Sequence, residues 1–167
     1  MQTDHSCAGR PLQYGFPVVR RRIATRKRRV LVATDGSRGS NAALRFAVDL
    51  AGCQGISLTV ITVAARKRGP GESESPDAEH ALAAAARTLG RSGVAADLHV
   101  VGRRPQESIP EAIRRESDRL KVDLVVVGSE GRDTLREWVV GGVALRLIYL
   151  ATRPVTVVRP PRTRSRR

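Results

Sequence analysis

The sequence has few aromatic residues, few cysteines and no long apolar run. Of its 167 residues 3% are aromatic, although 41% are hydrophobic, so a core must consist mainly of Val, Leu, Ile and Ala. The two cysteines, Cys7 and Cys53, give neither a disulfide framework nor the ligand spacing of a metal site. No segment reaches the roughly 18 continuous apolar residues of a membrane helix. The first 29 residues lack the apolar block of a secretory signal. We therefore expect a soluble cytoplasmic protein without membrane association.

Acidic residues are scarce at both ends of the chain. Residues 1–29 contain eight Arg or Lys and one acid, and residues 159–167 contain five Arg and no acid, whereas the whole chain carries +14. The central part is therefore nearly neutral. Basic tails can bind polyanions such as nucleic acids without reading their sequence, or they can be solvated segments without a partner. Both interpretations remain open.

The chain length predicts one domain with short extensions. We place a basic, disordered tail at 1–28, an α/β domain at 29–159 and a basic C-terminal tail at 160–167.

Within this domain, short β-rich runs alternate with amphipathic helical patterns. Strands are predicted at 29–35, 56–64, 94–102, 122–128 and 154–160, and helices at 40–51, 76–89, 105–120 and 142–151. The third helix begins either at Pro105, as a first helical residue, or after Ser108, which would form a capping box with Glu111. This alternation predicts a parallel sheet with helices on both faces. Ligands of such sheets bind beyond the carboxyl ends of the strands, where the strand order reverses.

The segment after the fourth predicted strand, GSEGRDTLREWVVGG, is rich in glycine. Gly128 and Gly131 leave room for a ligand close to the backbone. Gly141 and Gly142 stand where the last helix begins, and unpaired amides there favour an anion. The segment could therefore hold phosphates, although the strict P-loop pattern is absent. The alternative is that these glycines serve only turns and tight packing.

Asp35 ends the first predicted strand and faces the same crevice. Its carboxylate could accept hydrogen bonds from a sugar hydroxyl or an adenine amino group. Alternatively, it caps the following turn, because Asp-Gly-Ser is favourable turn chemistry.

The segments VLVATDGSRGSNAALRFAVDLA (30–51) and VDLVVVGSEGRDTLREWVVGGVALRLIYLATRPVTVV (122–158) resemble the universal stress protein family. Gly128, Gly131 and Gly141 match its nucleotide-binding pattern of Gly-x-x-Gly, nine residues and Gly. The resemblance covers about residues 29–159. Together with the alternation, it predicts a Rossmann-like α/β fold related to adenine nucleotide alpha-hydrolases. The sheet would be single, doubly wound, five-stranded and parallel, with strand order 3-2-1-4-5 and helices on both faces.

The resemblance also implies a stress-response regulator or sensor that binds ATP, with or without Mg²⁺. It implies a homodimer through the edge strand Val155–Val158. The implied nucleotide contacts are Ala33, Thr34, Asp35 and Val63 for adenine and ribose, and Gly128, Ser129, Gly131, Gly141, Gly142 and Val143 around the phosphates.

Two positions depart from the family pattern. Gly142 stands where a Ser or Thr is usual, and Glu130 places a negative charge in the glycine-rich segment. We expect nucleotide binding that is retained but weakened. A nucleotide-free dimeric scaffold of the same fold is the alternative.

No residue combination in the sequence indicates catalysis or a metal site. His5 lies in a tail, His80 is expected on the solvent side of its helix, and a lone strand histidine such as His99 is more often structural. We therefore expect no enzyme, or at most a weak ATPase that uses Asp35.

Overall fold

The computed structural model describes residues 27–64, 76–130 and 141–161 of the chain. The predictions for Gly131 and for most of the two basic tails concern residues outside these ranges. The strands in the described part are β1 (Arg29–Ala33), β2 (Ser57–Val63), β3 (Ala96–Val101), β4 (Leu124–Gly128) and β5 (Val155–Val158). The helices are α1 (Arg38–Gln54), α2 (Pro76–Ser92), α3 (Ile109–Arg119) and α4 (Gly142–Leu150).

The strands form one parallel sheet in the order β3-β2-β1-β4-β5, as the sequence predicts. The central strand β1 pairs with β2 on one side and with β4 on the other, so that Val32 lies between Val60 and Val126. From β1 the chain builds the sheet outward to β3 and then crosses to β4. The connections after β1 and β4 therefore leave on opposite faces, and a crevice opens between them.

The hydrophobic core lies on both faces of the sheet. Leu44 of α1 and Leu89 of α2 pack on one face, whereas Ile113 of α3 and Leu147 of α4 pack on the other. Successive β1 residues alternate between these two clusters because strand side chains point to opposite faces. This explains why β1 and β4 are apolar almost throughout. None of the helices in the described ranges has the length and hydropathy needed to cross a bilayer.

Local sequence signals set the helix ends. The Ser37 hydroxyl accepts a hydrogen bond from the amide of Ser40 at 3.2 Å and caps α1. Gly55 ends α1 in the left-handed conformation, with φ of 60°. Helix α3 begins after Ser108, whose amide donates to the Glu111 carboxylate at 2.7 Å. The capping box, and not Pro105, therefore determines where α3 starts.

The end of β4 packs directly against the first turn of α1. A Cβ on Gly128 would lie 2.6 Å from the backbone nitrogen of Ser40 and even closer to the backbone of Gly39. A Cβ on Gly39 would likewise overlap the carbonyl oxygen of Glu130. Backbone atoms cannot move aside as a flexible side chain can, so both positions require glycine. The packing explanation of Gly128 is therefore correct, whether or not a ligand also approaches it.

We predict that Gly128→Ala lowers the free energy of unfolding by about 1–3 kcal/mol, the usual cost of overpacking. Gly90→Ala is the matched control, because a Cβ at this position of α2 meets nothing within 4 Å. That control should raise stability by up to about 1 kcal/mol, since alanine favours helix over glycine. Urea denaturation followed by circular dichroism measures both effects. Equal stability of the Gly128 variant and the wild type would contradict the packing argument.

Candidate functional site

A cavity of about 750 Å³ lies at the carboxyl ends of the central strands. Residues from the ends of β1, β2 and β4 line it, together with the starts of α2, α3 and α4. Eight of the ten predicted nucleotide contacts are among its lining residues: Ala33, Thr34, Asp35, Val63, Gly128, Gly141, Gly142 and Val143. The fold thus brings together residues that are more than 100 positions apart in sequence.

Of the two remaining predicted contacts, Ser129 is described and is not among the residues that line the cavity. Ser129 is 3% exposed, and its amide donates to the carbonyl oxygen of Val158 at 2.8 Å. This bond attaches the segment after β4 to the end of β5. Gly131 lies outside the described residues. Ser129 therefore holds the wall of the site in place and does not contact the space inside it.

Asp35 has the turn-capping role that its sequence context suggests. One carboxylate oxygen accepts a hydrogen bond from the amide of Ser37 at 2.9 Å. Next to it, the hydroxyls of Thr34 and Ser40 are hydrogen-bonded at 3.1 Å, and both residues are buried. Asp35 nevertheless lines the cavity. The two interpretations of Asp35 are therefore compatible, because the turn fixes the position from which its carboxylate meets the cavity.

The loops after β1 and β4 are joined across the crevice. The hydroxyl of Ser37 donates to the carbonyl oxygen of Glu130 at 3.2 Å. Glu130 also lines the cavity. The negative charge that the sequence places in this segment is therefore close to the candidate site. The bond uses the backbone of Glu130, so it positions the loop without neutralising the carboxylate.

One of the predicted phosphate contacts, Gly141, has an amide that is already hydrogen-bonded within its own loop. The amide of Gly141 donates to the carbonyl oxygen of Ser129 at 2.6 Å, so it stabilises its own loop and cannot at the same time bind a phosphate. Helix α4 begins at Gly142 without a side-chain cap. The amides of Gly142, Val143 and Ala144 form its first turn and have no acceptor within the helix. Among the described residues, the amides at this end of the cavity that lack a partner within their own helix therefore begin at Gly142.

Glycine is not sterically required at position 142. A Cβ there would meet no atom of the described residues within 4 Å, in contrast to Gly128. A hydroxyl side chain at this position would consequently displace none of the residues in 27–64, 76–130 and 141–161.

An ion pair fixes the β3–α3 loop that forms another wall. The guanidinium of Arg115 donates to Glu107 at 2.8 Å and to the carbonyl oxygen of Gly102 at 2.9 Å. The hydrogen bond from Arg115, followed by one from the backbone amide of Arg104, lowers the pKa of the Glu107 carboxyl to about 2. The loop held in this way carries Arg103 and Ser108 to the cavity.

Several lining residues were not singled out from the sequence. The most important are the charged residues Asp77, Arg103 and Arg146. Arg103 follows β3, so the rule that ligands meet the carboxyl ends of strands could have indicated it. Arg146 lies four residues after Gly142, a spacing that places both on one helix face.

His99 has a structural environment outside the cavity. Its Nε2 lies 3.1 Å from Oε1 of Glu116, which also accepts hydrogen bonds from Arg119. The Arg119 contact is the largest of the effects that lower the pKa of Glu116. In the described part of the chain, no group of three or more His, Cys, Asp or Glu is placed to bind a metal ion.

The profile of the universal stress protein family matches residues 27–159. The chain belongs to this family. A family member from Burkholderia pseudomallei is 26% identical, with 80% of this chain and 96% of that chain covered and a TM-score of 0.61. No curated protein sequence matches this chain.

Two further structures of this family share the fold. A universal stress protein from Archaeoglobus fulgidus in complex with dAMP is 24% identical, covers 80% of this chain and 98% of its own, and has a TM-score of 0.60. A universal stress protein in complex with cAMP is 22% identical, covers 80% and 98% and has a TM-score of 0.63.

We predict a pH-dependent stability contribution from Glu107. Its pKa is about 2 in the folded chain against an ordinary 4.5, so its stabilising effect is complete above pH 4.5 and disappears as the pH falls towards 2. Glu107→Gln should therefore cost about 1–3 kcal/mol at pH 7, as expected for the loss of charged hydrogen bonds in a partly buried pair, and less at pH 3. Denaturation at both pH values measures this. Asp97→Asn, at an exposed position of β3, is the control, and a pH-independent loss for Glu107→Gln would contradict the assignment.

Proposed function

We propose that this chain is a stress-response regulatory protein that binds ATP in the cavity between β1 and β4. One observation carries the proposal. Strand ends that present a carboxylate, and a helix start with uncapped amides, converge on one cavity of about 750 Å³. The dAMP and cAMP complexes of two proteins with the same fold support an adenine nucleotide as the ligand.

The proposed binding mode follows the two chemically different ends of the cavity. Ala33, Thr34 and Val63 provide a small, mostly apolar surface for the adenine. Asp35 is the acceptor for ribose hydroxyls, because its carboxylate is fixed at the end of β1. The phosphates lie at the first turn of α4, where the amides of Gly142 and Val143 and the helix dipole favour an anion.

Charge in the cavity is the main factor against a long phosphate chain. Asp35, Asp77 and Glu130 carry carboxylates, whereas Arg103 and Arg146 are the cations among the described lining residues. Mg²⁺ bound with ATP would reduce the repulsion, since it binds phosphate oxygens together with one or two carboxylates. Asp35 is the residue that we expect to approach that ion.

The binding proposal is tested by thermal denaturation of the full chain with ATP, ADP, AMP and adenosine, each with and without Mg²⁺. A ligand that binds only the folded chain raises the melting temperature as its concentration increases. Native mass spectrometry of the purified protein tests for co-purified nucleotide. If no nucleotide raises the melting temperature at millimolar concentration and none co-purifies, the nucleotide-free scaffold is the correct description.

We predict that Gly142→Ser binds ATP about three- to tenfold more tightly than Gly142→Ala, because a hydroxyl can donate to a charged phosphate. Neither side chain overlaps an atom of the described part of the chain at this position. The alanine variant controls for the change in backbone freedom. Isothermal titration calorimetry measures the two dissociation constants. Equal affinities would show that the phosphates do not reach the first residue of α4.

The proposal includes a homodimer through Val155–Val158. Strand β5 ends the sheet, and the carbonyl oxygens of Pro154 and Val158 both accept hydrogen bonds from the β4 side. Hydrogen-bonding groups alternate between the two sides of a strand, so those of Val155 and Val157 point away from β4. An open edge of this kind favours pairing with a second strand.

We predict that Val157→Pro converts the dimer to a monomer, because proline lacks the amide that would pair across the edge. Val157→Ala removes the same side chain but keeps the amide, so it should remain dimeric. Sedimentation velocity at several protein concentrations distinguishes the two outcomes. A wild-type monomer, or a dimer that survives in the proline variant, would exclude pairing through this edge.

The regulatory role, the cytoplasmic location and polyanion binding by the basic tails remain predictions. For the tails, a salt-dependent affinity for DNA that is lost on removal of residues 1–28 and 160–167 is the expected result. Any hydrolysis of ATP would be weak, and Asp35→Ala should abolish it.

A further inference from the structure

Arg146 is a cation on the cavity wall that has no fixed partner among the described residues. It lies on α4, lines the cavity and is exposed. In the part of the chain that the structure describes, its guanidinium makes no hydrogen bond or ion pair. By comparison, Arg103 on the same cavity donates to the carbonyl oxygen of Ala64 at 3.2 Å, and Arg115 is paired with Glu107. Arg146 is therefore the lining arginine whose donors are not already used by the fold.

Arg146 lies one helical turn after the start of α4, on the same face as Gly142. It lies four residues after Gly142, and residues at this spacing are neighbours on one face of a helix. Long side chains in helices lean towards the N-terminal end. Gly142 has no side chain, and no atom of the described ranges lies within 4 Å of the point where its Cβ would stand. Nothing on residue 142 therefore separates the guanidinium of Arg146 from the first-turn amides.

The nearby carboxylate does not hold this guanidinium. Glu111 accepts hydrogen bonds from the amide and hydroxyl of Ser108. These bonds are the main reason that its pKa is lowered, and the charge of Arg146 adds a smaller effect. No Glu111 oxygen lies within ion-pair distance of Arg146. The Glu111 carboxylate is therefore committed to the capping box.

We propose that Arg146 is the specificity-determining residue that distinguishes nucleotides from nucleosides in this cavity. The inference rests on the proposed function. The planar guanidinium can donate two parallel hydrogen bonds to phosphate oxygens, and the amides of Gly142 and Val143 donate to the same group. Arg146 binds phosphate and makes no contribution to the recognition of adenine or ribose.

The test compares the binding of ATP, AMP and adenosine to the full chain by isothermal titration calorimetry. Arg146→Gln should weaken ATP and AMP binding about tenfold, as expected for a lost charged hydrogen bond at an exposed site, and should leave adenosine affinity unchanged. Arg146→Lys keeps the charge without the planar fork, so its affinities should be intermediate. Arg87→Gln makes the same charge change at an exposed position of α2 outside the cavity, and should alter ATP affinity less than twofold.

The ratio of adenosine to ATP dissociation constants is the decisive measurement, because a purely structural role of Arg146 would affect both ligands equally. The inference is overturned if the wild type binds ATP and the Arg146→Gln ratio equals that of the wild type. It is also overturned if Arg87→Gln lowers the ratio as much, since a general charge effect would then explain the result. If the wild type binds none of the three ligands, the proposed function fails, and this inference fails with it.

Discussion

The close contact between the end of β4 and the first turn of α1 is the constraint on which the site depends. At Gly128 and Gly39 two backbone segments approach so closely that neither position accepts a Cβ. The hydroxyl of Ser37 then joins the two loops through the carbonyl oxygen of Glu130. Because these contacts involve mainly backbone atoms, they set the width of the crevice without depending on flexible side chains. The strand order alone produces a crevice, but this packing gives it a defined shape.

Most of the fold could be predicted from the sequence because the local signals agree with one another. The apolar run at β4 requires two covered faces, Gly55 ends α1, and Ser108 with Glu111 starts α3. Here, hydrophobic periodicity and helix capping both favour one arrangement, which is typical of a sequence with a single stable fold. The choice between Pro105 and Ser108 was the one helix boundary that sequence left open, since both are favourable near a helix start.

The site was only partly predictable, because its details depend on contacts between distant segments. The pattern of glycines located the cavity, but it could not show that the Gly141 amide is used by Ser129. Nor could it separate Gly128, which packing requires, from Gly142, which has open space around it. Two glycines of one segment thus differ in whether the surrounding packing requires glycine. Arg146 could not be assigned to the cavity from sequence, because its spacing from Gly142 indicates a shared helix face but not what that face borders.

The backbone hydrogen bonds of Ser129 connect the edge strand β5 with the start of helix α4. Its amide binds Val158 on the outermost strand, and its carbonyl oxygen binds Gly141 immediately before α4. A single buried residue therefore links the open margin of the sheet to the helix start. A shift of β5 would displace the start of α4 through the two backbone hydrogen bonds of Ser129. A shift of α4 would act on β5 in the same way, because energetic coupling between two binding events is reciprocal. If a ligand in the crevice and a strand at the sheet margin bind as proposed, their effects on each other would need no moving domain.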